Sequence, residues 1–104
     1  MATITSHQPG ITSKELEEAI PEKLLSKNVH LHWVDKQRSG EGLWTLSAKI
    51  GVNDQVLLLH CKTSESILVE DWDVEDPTYH TNARLVALER ILTDPANEDK
   101  LLAL

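Results

Sequence analysis

Phenylalanine is absent from the 104 residues, and there is only one tyrosine. The core must therefore be built mostly from Leu, Val, Ile and Ala. Trp33, Trp44 and Trp72 supply nearly all the aromatic mass. A single cysteine, Cys61, excludes an internal disulfide and points to a reducing, intracellular compartment, with the cytoplasm expected and the nucleus as the alternative. No apolar run approaches the ~20 residues that a membrane helix needs. The stretch MATITSHQPG has neither a basic n-region nor an apolar h-region, so no secretory signal is expected in it. Glycines are few, and none forms a Gly-rich turn from strand to helix. The SGEG of residues 39–42 reads as hairpin-loop chemistry, not as a phosphate cradle.

What is present is ordinary globular composition, 40% hydrophobic and 26% charged, at a length that suits one domain. The charge is lopsided. Up to Lys62, seven acids face seven bases; from Glu65 onward, ten acids face only Arg84, Arg90 and Lys100. The whole net charge of −7 therefore lies in the C-terminal part, and six of those ten acids fall in ESILVEDWDVED, residues 65–76. A duplex polyanion would be repelled by such a surface.

Residues 1–11 read as a flexible polar lead, and residues 12–104 as a single α+β domain. TSKE, residues 12–15, is a capping box, followed by Leu16, Ala19, Ile20, Leu24 and Leu25 at helical spacing. Pro21 predicts a kink or two short helices. The period then becomes alternating. NVHLHWVD places Val29, Leu31 and Trp33 on one face and His30, His32 and Val34 on the other. QRSGEG, residues 37–42, reads as a loop, LWTLSAKI as a second strand with Trp44 inward, and GVND as a tight turn. QVLLLHCK, residues 55–62, is apolar on both faces at its centre, as in a strand covered on both sides or in the middle of a sheet. That pattern also leaves room for a homodimer over Val56 and Leu58. Residues 67–74 read as a short fourth strand. Asp76-Pro77 and Asp94-Pro95 are both helix starts, N-cap then first-turn proline. The prediction is an N-terminal helix, a three- or four-stranded antiparallel meander, a C-terminal helix and a short final helix.

Several residues are chemically suggestive. His30 and His32, two apart on a strand, point the same way and could begin a metal site. The neighbouring strand offers them Thr45, Ser47 and Lys49, which are poor ligands, and His60 falls two strands over. Surface histidines are the expectation, with no metal and no cofactor. His60 and Cys61 are adjacent on a strand, so they face opposite ways and do not form a nucleophile–base pair. Cys61 reads as a buried small hydrophobe. His80 and Arg84 share a solvated helix face. No constellation suggests catalysis, and a non-enzyme is expected.

A helix, a three-stranded meander and a C-terminal helix is also the order of double-stranded-RNA-binding domains, and the stretch from Asn28 to Ser64 resembles their strand portion in lengths only. Those domains grip phosphates with a Lys-rich start to the last helix; here that position reads VEDPTYHTNARL, acidic where they are basic. The resemblance implies a degenerate member that binds protein. The expected function is a non-catalytic protein-interaction module, an adaptor, regulatory subunit or inhibitor. It would dock a basic partner through Asp71, Asp73, Glu75 and Asp76, with Trp72 as anchor. One alternative is nucleic-acid contact through the neutral half, where Lys36, Arg38, Lys49 and Lys62 could cluster. Another is an acidic immunity or antitoxin protein that caps a basic nuclease.

Overall fold

The computed structural model describes residues 3–8, 10–64 and 77–103, with side chains described for all of these but 77–80. They form a small α+β domain with a four-stranded mixed sheet and three helices. In chain order these are β1 (Ile4–Ser6), α1 (Ser13–Ala19), a 3-10 turn (Glu22–Leu24), β2 (Val29–Gly40), β3 (Leu43–Val52), β4 (Gln55–Thr63), α2 (Pro77–Thr93) and α3 (Pro95–Leu102). Among the described residues no helix is long and apolar enough to cross a membrane.

The sheet order is β1-β2-β3-β4. β2, β3 and β4 are the antiparallel meander the alternation predicts. The fully antiparallel sheet is corrected at its first strand. Ile4–Ser6, within the stretch read as a lead, pairs parallel with Val29–Leu31. A parallel neighbour requires a crossover, and α1 with the 3-10 turn supplies it. The fourth strand expected at residues 67–74 lies outside the described residues.

Local chemistry explains the helix ends. Glu15 N donates to Thr12 Oγ1 at 3.2 Å and Thr12 N donates to Glu15 Oε1 at 3.2 Å, which closes the capping box of α1. Ahead of Pro21 the chain leaves α1 and resumes as the 3-10 turn. Asp94 caps α3 by accepting from Ala96 N at 2.8 Å, with Pro95 in the first turn. α2 begins at Pro77, as predicted.

The β2–β3 connection is tighter than the six-residue loop expected. β2 runs on to Gly40, which pairs with Leu43, so only Glu41 and Gly42 turn the chain, with Gly42 at φ +66°. Asn53 and Asp54 turn β3 into β4, with Asn53 in the left-handed region at φ 55°.

All three helices lie on one side. α2 packs on β2, β3 and β4, α1 on β1 and α2, and α3 on β4 and α2. Leu31, Leu46, Ile50, Leu59, Leu88 and Ile91 are fully buried between sheet and helices. Buried Asn97 ties the last helix down. Its Nδ2 donates to the carbonyls of Ile91 at 2.8 Å and His60 at 2.9 Å.

Candidate functional site

The register of β2 and β3 holds the key to the site. Leu31 pairs with Ile50, but Trp33, not His32, pairs with Lys49. One extra residue therefore sits in β2, a β-bulge that re-aims the side chains after it. Up to Leu31 the helix-side residues are Val29 and Leu31; beyond the bulge the buried residue is Val34, at 3% exposure, and Trp33 is 37% exposed. The sequence-based assignment of Trp33 inward and Val34 outward is reversed for this reason.

Both histidines lie on the sheet face away from the helices, alternating with buried Val29 and Leu31. The His30 and His32 ring centroids are 4.7 Å apart. They sit over Gly51, where a Cβ would lie 3.6 Å from His30 Cβ and 3.7 Å from His32 Nε2. A third imidazole joins them from the end of β1. The His7 ring lies tilted against them, its centroid 4.0 Å from that of His30 and 6.3 Å from that of His32. Thr5 Oγ1 lies 3.2 Å from His30 Nδ1, while His30 Nε2 is buried without a hydrogen-bond partner. Burial first, then the neighbouring imidazoles of His7 and His32, lower the His30 pKa below the ordinary imidazole value. Among the described residues no three His, Cys, Asp or Glu side chains are placed to hold a metal ion. Sequence reasoning missed His7, whose membership depends on β1. The sequence carried no signal for it, since the three residues of β1 are too few to show a period.

The rest of this sheet face is open among the described residues. On β4, Val56 is 59% and Leu58 50% exposed, so this strand is covered on one face and not on both. An open depression beside Trp33 is lined by Asp35, Gln37 and Ser47.

The four bases expected to cluster are divided by the sheet. Lys49 and Lys62 are outward, since they alternate with buried Ala48, Ile50 and Cys61. Lys36 and Arg38 pair with Leu46 and Trp44 on the other side. There Lys36 Nζ lies 4.8 Å and Arg38 Cζ 5.9 Å from the Trp44 ring centroid, within cation–π reach.

His60 is exposed and Cys61 buried, on opposite faces, as the strand period predicts. Burial raises the Cys61 thiol pKa, Asp94 raises it further, and Arg90 pulls the other way. Such a thiol is a poor nucleophile. Trp72, Asp71, Asp73, Glu75 and Asp76 all lie outside the described residues, as does the side chain of His80.

No protein-family model, no curated protein and no solved structure matches the chain.

Proposed function

We propose that the protein is a non-catalytic protein-interaction module that docks a basic partner through its acidic C-terminal half. The observation that carries this reading is the concentration of charge. Residues 65–76 hold six acids and no base, whereas the remainder of the chain, with eleven acids and ten bases, is nearly neutral. In the sequence that segment falls between β4, which ends at Thr63, and α2, which begins at Pro77. A focused anionic patch raises the encounter rate with a cationic surface and selects against acidic partners. Trp72, inside the run, supplies the apolar anchor that charge alone lacks.

The test is capture of partners by the tagged chain, beside a variant carrying Asp71→Asn, Asp73→Asn, Glu75→Gln and Asp76→Asn. A stoichiometric protein that resists nuclease, weakens as salt rises and is lost from the variant supports the reading. Equal capture by the variant, with no salt dependence, sinks it.

One observation favours a second reading. The run α1-β2-β3-β4-α2 supports it by resembling the element order of a double-stranded-RNA-binding domain, to which this chain adds the parallel strand β1 and the helix α3. Nucleic-acid contact would then use Lys49 and Lys62 on the open face, or Lys36 and Arg38 beside Trp44. Their division between two faces gives neither pair a broad basic footprint, so protein binding ranks first. Steeply salt-dependent RNA binding, lost on Lys49→Ala with Lys62→Ala or on Lys36→Ala with Arg38→Ala, would reverse that ranking.

A further inference from the structure

We propose that His7, His30 and His32 form an acid-operated latch: proton uptake by the cluster releases β1 from the edge of β2. This inference stands apart from the partner reading above and uses different residues.

The geometry supplies the argument. β1 is held to β2 over only three residue pairs, Ile4–Val29, Thr5–His30 and Ser6–Leu31. Backbone bonds from Val29 N to Thr3 O at 2.8 Å and from His7 N to Leu31 O at 3.0 Å bracket that contact. The cluster sits across the same seam. One imidazole comes from the β1 side and two from β2, and the His7–His30 ring separation is 4.0 Å.

Neutral rings pack well at such distances. Protonated rings repel, and the crowding is worst at His30. Its Nδ1 has Thr5 Oγ1 as neighbour, but its buried Nε2 has no acceptor. The protonated ring carries N–H at both nitrogens, and the one at Nε2 has no acceptor while the strand is docked.

Among the described residues, no acidic side chain is paired with the three imidazoles. The residue that follows β1 is His7 itself. β2 adds Asp35, which follows Trp33 and Val34 along the strand, and β3 adds Lys49, which pairs with Trp33 and carries the same sign as an imidazolium. Facing β4 positions are Val56, opposite Gly51, and Leu58, opposite Lys49. Asp54 lies in the β3–β4 turn. The helices occupy the other side of the sheet.

The direction follows. The docked state disfavours the charged form of His30, so the released state binds more protons and gains population as the solution acidifies. Docking is complete above the ordinary imidazole value of 6.5 and weakens as the pH falls below it.

The experiment is amide exchange by NMR on the full chain at pH 7.5 and 5.5, with rates corrected to protection factors. The His7 and Val29 amides should lose severalfold protection at the lower pH. The β3–β4 ladder amides should hold theirs. His7→Gln, at an exposed position, should raise the midpoint of the His30 ring resonance and keep Val29 protected at pH 5.5. His32→Gln is the second variant and should act the same way. Unchanged wild-type protection would overturn the proposal, as would an equal loss in both variants. A change at the same amides on adding zinc at pH 7.5 would also overturn it, by making the cluster a metal site.

Discussion

Gln8 Oε1 accepts a hydrogen bond from the Val34 amide at 3.1 Å, at the point where β2 has run past the end of β1. A side chain there takes over from a strand. It satisfies an amide that would otherwise sit at a part-buried sheet edge. The same step follows the bulge at His32, so one glutamine secures the segment in which β2 changes which residues it buries.

Burial at that step is the first point to check. Val34→Ala should destabilise the fold by about 2 kcal/mol, the order expected for losing a buried valine. Trp33→Ala, although it removes far more atoms, should cost less, about 1 kcal/mol or below, because the ring lies on the open face. Urea unfolding of both variants at one pH makes the comparison. A larger loss for Trp33→Ala would place the indole in the core and remove the bulge.

Asn97 offers a second check. Its amide bonds two carbonyls, on β4 and near the end of α2, from a site 3% exposed. Asn97→Ala should cost about 2 kcal/mol, since two buried acceptors lose their donor. Asn97→Asp should be no milder, as a carboxylate cannot donate to either carbonyl. Thermal melts of the two variants read this directly.

The Cys61 thiol gives a pH-dependent outcome. Its pKa lies above the ordinary value of 9.0 because burial and Asp94 disfavour the thiolate. A thiol-reactive dye should therefore label the native protein slowly at pH 7, and labelling should become fast in urea. The native rate should rise only at alkaline pH. Rapid native labelling at pH 7 would contradict the burial.

Signals contained within a few residues were legible in the sequence. The Thr12–Glu15 capping box, the break at Pro21, the Asn53-Asp54 turn and the Asp94-Pro95 start each depend on neighbours in the chain. β1 was not legible, because three residues cannot display a period and their partner is far along the chain. The bulge was equally hidden. A single extra residue leaves the alternation of NVHLHWVD intact on paper while exchanging Trp33 for Val34 in space. The histidine cluster inherits both problems. His30 and His32 could be read as a pair, but His7 belongs with them only once β1 is placed.

Pairing Thr5 with His30 joins residues 25 apart, whereas the β2–β3 and β3–β4 ladders zip outward from two-residue turns. Chain closure over the longer distance costs more entropy and is repaid by only three residue pairs. The refolding chain should therefore assemble its meander first and seat its N-terminal strand last. A slow final kinetic phase, reported by the environment of His7 and confined to one edge of the sheet, is the consequence.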